Sequence, residues 1–229
     1  MLGKLIVFEG IDGSGKGTQS KKLHKKLTEL GRKVVLFEFP FYSETFFGKE
    51  VGRYLNGEFG LLNEIHPKLA AMLYAGDRYE KRNEIIKKLE DGYLVICDRY
   101  IQSNIAHQTA KFADVTKRNE LRSWIEQLEY DVYGLPKPDI IFFMNMNPNL
   151  SDSLVLKKQT RDYTNKKKDL HESDTSYLGS VFNIFNALAT ENRWVSIACQ
   201  DKDGRLRSME DIHYDILKIL ETNTIGVSL

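Results

Sequence analysis

Five short apolar runs punctuate the chain, and their spacing constrains the fold more than any other feature. They are residues 5–9 (LIVFE), 33–39 (KVVLFEF), 93–98 (YLVICD), 139–144 (DIIFFM) and 194–199 (WVSIAC). Each is apolar nearly throughout, with no alternation of polar and apolar positions. A strand covered on both faces reads this way. Helical patterns lie between the runs. Residues 16–30 space Leu23, Leu27 and Leu30 along one stripe and stop at Gly31. Residues 67–89 form a long helix carrying Leu69, Met72, Leu73, Tyr79, Ile85, Ile86 and Leu89, and residues 118–128, 177–189 and 209–220 follow. The alternation predicts an α/β domain over residues 1–229, with a five-stranded parallel sheet flanked by helices.

Composition excludes several classes. Lys and Arg number 33 against 32 Asp and Glu, a net charge of +1, so no basic surface for nucleic acid is expected. No apolar run approaches the length of a membrane span. The opening residues 1–8 (MLGKLIVF) run straight into Glu9-Gly10, which does not suit a leader peptide. Cys97 and Cys199 each end an apolar run far apart in sequence, so they are expected reduced and buried, in a cytoplasmic setting.

The first strand leads directly into Gly10-Ile11-Asp12-Gly13-Ser14-Gly15-Lys16-Gly17-Thr18, which fits G-x-x-x-x-G-K at the start of a helix. Glycines let successive backbone N–H groups turn inward around an anion, and the helix aims its positive end at the same point. Lys16 adds a full charge for the β- and γ-phosphates. The motif predicts a P-loop NTPase fold with a nucleotide's phosphates bound by residues 10–18, the stretch that would hold ATP in a kinase of this kind. Gly17 replaces the usual Ser or Thr after the lysine, which displaces the hydroxyl that ligates Mg²⁺. Mg²⁺ is then expected on phosphate oxygens and water, with Asp98 reaching it through water.

Two further segments carry chemistry. Asp98-Arg99-Tyr100 closes the third run, where a carboxylate sits near the metal and a guanidinium can bridge two phosphates; a structural ion pair is the alternative. Tyr74 and Arg78 in residues 73–78 (LYAGDR) lie one helical turn apart, so an aromatic plane and a guanidinium share one face; Tyr74 can equally be core. Ser103, Asn104, His107 and Gln108 follow, offering amides for a base edge or a helix cap. Residues 157–172 (KKQTRDYTNKKKDLHE) break the pattern and read either as a solvated loop or as a mobile basic lid over phosphates.

Taken together, the loop at 8–19, LYAGDR, Asp98-Arg99-Tyr100 and the S-x-x-A-x-Q of 103–108 resemble the thymidylate kinase family from about residue 5 to 220. The resemblance implies the sheet order, a homodimer, and ATP-dependent phosphorylation of dTMP with Mg²⁺, with no membrane or nucleic-acid partner. It implies that Lys16 and Arg99 stabilise the transferred phosphoryl group and that Asp12 meets the acceptor sugar or organises its phosphate. Phe39 would wall the base pocket. Tyr74 would stack on the base in place of the family's phenylalanine. Arg78 would bind the acceptor phosphate or base edge, and Asn104 and Gln108 would read the base. Some members carry a catalytic arginine in the phosphate loop, but Gly13 stands there. Arg161, the only arginine of residues 157–172, becomes the candidate transition-state clamp.

Two departures concern the acceptor. Relatives carry an arginine soon after the Phe39-Pro40 step, where this chain has Phe41-Tyr42-Ser43, leaving Lys49 or Arg53 as substitutes. His107 stands where relatives place an aromatic against the 2′ side of the sugar. The alternatives are a kinase of the same fold with another nucleoside monophosphate as acceptor, or a nucleotide-binding switch. The second lacks its guanine motif, because Lys168 stands where Asn-Lys-x-Asp requires Asp.

Overall fold

A computed structural model describes residues 2–62, 64–155 and 175–222. All five expected strands form: β1 Lys4–Glu9, β2 Val34–Glu38, β3 Leu94–Asp98, β4 Ile140–Asn145 and β5 Trp194–Ala198. They make one parallel sheet in the order β2-β3-β1-β4-β5. The helices are α1 Lys16–Glu29, α2 Phe46–Leu55, α3 Pro67–Glu90, α4 Ile101–Thr109, α5 Val115–Glu126, α6 Pro148–Val155, α7 Thr175–Leu188 and α8 Met209–Thr222. A π-helical turn, Gln127–Val132, continues α5.

Both faces of the sheet are covered, as the unbroken apolar runs require. Leu5 and Val7 of β1 pack with Ala71, Ile85, Ile101 and Leu121, on the side of α3, α4 and α5. Ile6 and Phe8 pack with Leu23, Leu27, Ile212 and Ile216, on the side of α1 and α8. Burying each such side chain contributes roughly 1.5–3 kcal/mol. Alternation cannot set strand register when both faces are apolar. Asp139 supplies a polar reference point just before β4. Its Oδ2 accepts the Leu5 N–H at 2.8 Å and its Oδ1 accepts from Lys4 Nζ at 3.0 Å.

The sequence reading differs from the structure in three places. Leu30 lies outside the core, 44 % exposed, because α1 has already ended at Glu29. On α3, Leu69, Met72 and Tyr79 face outward, while the buried face is Ala70, Ala71, Ala75, Gly76, Asp77, Arg78 and Ile85. Small residues let this helix approach its neighbours closely, with the Gly76 Cα packed against the Phe47 ring. The helices α2, α4 and α6 are additional. In α2, Gly48 and Gly52 weaken the helical signal, and Gly48 is required because a Cβ there would sit 2.1 Å from the Phe41 carbonyl oxygen. In α4 every residue is buried, so no polar stripe marks its outer face.

This topology places the site. The neighbouring strands β1 and β3 send their chains to opposite sides, β1 to β2 and β3 to β4. The loops leaving their carboxyl ends part, and a crevice opens between them.

Candidate functional site

The loop after β1 is built as its glycines predict. Gly15 sits at φ 89°, a left-handed conformation that suits glycine, and caps α1 without a side-chain hydrogen bond. The first N–H groups of α1 are thereby left to face an anion. Asp12, Gly13, Ser14, Gly15, Lys16, Gly17 and Thr18 line a large cleft. Gly10 and Ile11 do not: Ile11 is core, and Gly10 offers its carbonyl to Arg99 Nη1 at 3.3 Å. Lys16 Nζ donates to the Ile11 carbonyl at 3.2 Å and lies 3.5 Å from Asp12 Oδ1.

Arg99, at the end of β3, joins this loop to α4. Its Nη2 donates to Asp12 Oδ1 at 2.7 Å and its Nη1 to Ser103 Oγ at 2.9 Å. Burial alone would raise the Asp12 carboxyl, but Arg99 and Lys16 hold it well below the usual range. The Arg99 guanidinium is partly desolvated as well, and Asp12, Asp98 and Glu9 more than offset that cost, so it stays charged. Arg99 adopts φ 65°, the left-handed region that a side chain rarely takes.

Beside the cleft lies a second, smaller cavity. Phe39, Tyr42, Tyr74, Arg78 and Ser103 line it, together with Asn104, His107 and Gln108 from α4. The two cavities share Asp12, Phe39, Pro40, Tyr42 and Arg99. Arg78 is buried in a bidentate pair with Glu129, Nε to Oε2 at 2.5 Å and Nη2 to Oε1 at 2.6 Å. Glu129 Oε1 also accepts from Asn104 Nδ2 at 2.8 Å. Arg78 is thus tied to the amide group of the pocket, not to the Asp12–Arg99 pair. Asn104 Oδ1 and both amide atoms of Gln108 are buried with no partner. These atoms are open to a bond from a ligand or an ordered water in the cavity.

His107 is neutral. Burial and the nearby Arg99 push its imidazole down to about 3, and Nδ1 lies 3.1 Å from the Tyr177 hydroxyl. The segment after β2 begins with the cis Phe39-Pro40 bond and is held to α3 by Asp77. Asp77 accepts from the Phe41 N–H at 3.1 Å and from Thr45 Oγ1 at 2.5 Å. Burial raises this carboxyl above its usual range, against those two hydrogen bonds.

Asp98 lines the cleft, and its buried Oδ1 has no partner. A Cβ on Gly17 would sit 2.7 Å from Asp98 Oδ2, so the missing side chain is what gives this carboxylate its room. Neither Lys49 nor Arg53 replaces the absent arginine. Lys49 is exposed, and Arg53 pairs on the surface with Glu50 and Glu58. Arg161 and the lid segment 157–172 lie outside the described residues. Sequence reasoning missed Glu9, Asp77 and Glu129. Glu9 and Asp77 lay inside the quoted motifs, but Glu129 is 51 residues from Arg78 with no local signal. It also missed Leu206, Arg207, Met209 and Ile212, which line the cleft from the far end of the chain.

Comparison with known proteins gives one consistent answer. The profile described as thymidylate kinase matches residues 8–209. The thymidylate kinase of Plasmodium falciparum is 33% identical over 217 residues, covering 94% of this chain and 89% of that protein. That of Caldicellulosiruptor saccharolyticus is 32% identical over 228 residues, covering 96% and 97%. The thymidylate kinase structure from Candida albicans superimposes with a TM-score of 0.72 at 26% identity, covering 97% of this chain and 92% of that one.

The Arg78–Glu129 pair gives a test of how the pocket is held. Glu129→Ala leaves a buried guanidinium unpaired and is expected to cost about 3–5 kcal/mol of unfolding free energy. Chemical denaturation checks this, and a loss under 1 kcal/mol would remove Glu129 as the anchor of Arg78.

Proposed function

The chain belongs to the thymidylate kinase family, and from that premise we propose how its residues divide the reaction. It transfers the γ-phosphoryl group of ATP to dTMP. A phosphate oxygen of dTMP forms the new bond to the γ-phosphorus, the bond to the β-phosphate oxygen breaks, and dTDP and ADP result. The observation that carries the assignment of roles is the junction of the two cavities at Asp12 and Arg99. The donor triphosphate lies along residues 12–18 and the acceptor lies in the pocket of α4, so the phosphates meet at that pair.

Little covalent chemistry falls to the protein; positioning and charge stabilisation do the work. Lys16 and Arg99 face the migrating phosphoryl group. Asp12 holds both cations in place and meets the acceptor sugar or phosphate. Phe39 and Tyr74 enclose the base, and Arg78, Asn104 and Gln108 satisfy its edge. Ser103 supports Arg99 from behind, and His107 borders the sugar as an uncharged ring.

The residues present fit Mg²⁺. Asp98 supplies one carboxylate with a buried, unpartnered oxygen, and burial raises it above its usual range despite Lys16 and Arg99. One carboxylate with phosphate oxygens and water is the usual Mg²⁺ setting. Held by Asp98 and water, the ion would supply positive charge against the negative charge that develops on the phosphates.

The face of α3 left uncovered supports a homodimer. Leu69, Met72 and Tyr79 lie on one side of the helix and are 59 %, 43 % and 52 % exposed, with Gly76 between them covered by Phe47. Sedimentation is expected to give twice the 26.4 kDa chain mass, and a monomer at micromolar concentration would count against this face as the contact. A cytoplasmic setting agrees with two free, buried cysteines.

ADP release with Mg²⁺-ATP across dTMP, dUMP, UMP, dCMP, dGMP and AMP tests the assignment. We expect dTMP to be preferred. The Candida albicans structure is described as revealing the origin of broad substrate specificity in that enzyme, so the panel spans both purines and pyrimidines. A displaced preference would keep phosphoryl transfer and replace the acceptor. Arg161→Ala is expected to lower kcat by on the order of 10² or more with little change in the dTMP KM, as loss of a transition-state contact does. A rise in KM alone would make Arg161 a binding residue.

A further inference from the structure

Arg99 needs a reason to hold its left-handed backbone, and Glu9 stands directly behind it. Glu9 is the last residue of β1, is fully buried, and lines neither cavity. Its Oε1 accepts the Tyr100 N–H at 2.8 Å and the Ser103 N–H at 3.1 Å. Its Oε2 accepts from Ser103 Oγ at 2.5 Å. The helix α4 has no cap of its own, because Tyr100 at the N-cap position makes no side-chain hydrogen bond to it. Glu9 therefore caps α4 from another strand, taking two N–H groups that Tyr100 cannot serve. A carboxylate there also lies at the positive end of the helix.

The same carboxylate fixes the direction of a hydroxyl. Ser103 Oγ has one proton, and it points at Glu9 Oε2. The oxygen's lone pairs are then left for Arg99 Nη1, 2.9 Å away. The chain of contacts runs from Glu9 through Ser103 to Arg99 and on to Asp12 Oδ1. We propose that Glu9 is a positioning residue for phosphoryl transfer: as a carboxylate it caps α4 and orients the Ser103 hydroxyl so that Arg99 is held at the junction of the donor and acceptor sites.

This role depends on the ionised form. A protonated Oε2 would donate to Ser103 Oγ instead of accepting from it, and the Ser103 proton would have to turn away. Burial raises the Glu9 carboxyl to about 7, against the Ser103 and Tyr100 hydrogen bonds and the charge of Arg99. The titratable groups that face it are Arg99, Cys97 and Tyr100 from the β3–α4 segment; on β4, Phe143 stands opposite. Below that pH the positioning form is the minority, so turnover should rise as pH increases through about 7.

Glu9→Gln keeps the volume and one acceptor oxygen but presents an N–H to Ser103. With saturating dTMP and Mg²⁺-ATP, kcat is expected to fall about 10- to 100-fold, the range that a displaced catalytic group produces. The KM for ATP should change less than about twofold, since the phosphate loop is untouched. The part of the acid limb near pH 7 due to Glu9 should vanish, while titration of the dTMP phosphate persists in both proteins. Wild-type kcat with an unchanged pH profile in a folded Glu9→Gln protein would overturn the proposal. So would a fall in kcat that leaves the profile as in the wild type, which marks a purely structural loss. If the variant does not fold, wild-type enzyme labelled with ¹³C at the glutamate carboxyls gives the same decision. One resonance should titrate near 7 and shift when dTMP binds, and no such resonance would reject the linkage. The inference rests on the proposed roles at the Asp12–Arg99 junction. An enzyme that transfers to a different acceptor but keeps the Glu9 dependence would retire the substrate and leave Glu9 in place.

Discussion

Arg99 and Asp12 form a 2.7 Å ion pair between the loops that leave β1 and β3, and the working end of the molecule is arranged around it. The pair is partly withdrawn from water, the Arg99 side chain 15 % and the Asp12 side chain 31 % exposed, so its remaining hydrogen-bonding positions need partners. Here the neighbours fill them. Asp12 lies within reach of Lys16, and Arg99 donates to the Gly10 carbonyl and the Ser103 hydroxyl. Ser103 in turn rests on Glu9. The pair therefore ties the phosphate loop, the end of β3 and the first turn of α4 into one unit. The smaller cavity inherits its shape from that unit, because Ser103, Asn104, His107 and Gln108 of α4 form much of its polar wall.

A second pair, Arg78 with Glu129, is fully buried and plays the same part at the other end of the pocket. Between the two lie groups that have no partner inside the protein. Among the described residues, eight buried side-chain polar atoms lack a hydrogen bond, and six of them belong to Ser14, Gln19, Asp98, Asn104 and Gln108, which line the two cavities. An unmet buried polar atom costs about 1–3 kcal/mol. Their concentration at the cavities places that cost where phosphates, a metal ion and a base edge can relieve it.

The strands were legible because β1, β3 and β4 are buried on both faces and the edge strands β2 and β5 still pack apolar residues against the core, which leaves nearly unbroken apolar runs. The phosphate loop was legible because anion binding by backbone demands glycine at fixed spacing. The helix α4 was not, since a helix without a solvent face has no amphipathic period to detect. Glu129 could not be found from sequence because its partner is set by tertiary packing of a π-helical turn against α3. Periodicity placed α3 correctly but misjudged its inner face. The core side there is small residues with Asp77, Arg78 and Ile85, while Leu69, Met72 and Tyr79 look outward. At Arg53 a charge near the motif was tempting by position alone, and two surface carboxylates claim it instead.

All nine residues of α4 are buried, and this has a consequence for how such an enzyme can change. A recognition loop on the surface can exchange side chains with little effect on the fold. Here the groups that line the cavity alternate with groups that pack into the core, on a helix with no outer side. Any substitution that retunes recognition also disturbs packing, and overpacking or cavity formation of this kind costs about 1–5 kcal/mol. With a whole domain stable by only about 5–15 kcal/mol, few single steps are open. New acceptor preferences are therefore most accessible from the segment after β2, whose Tyr42 and Ser43 reach the cavities from partly or fully exposed positions.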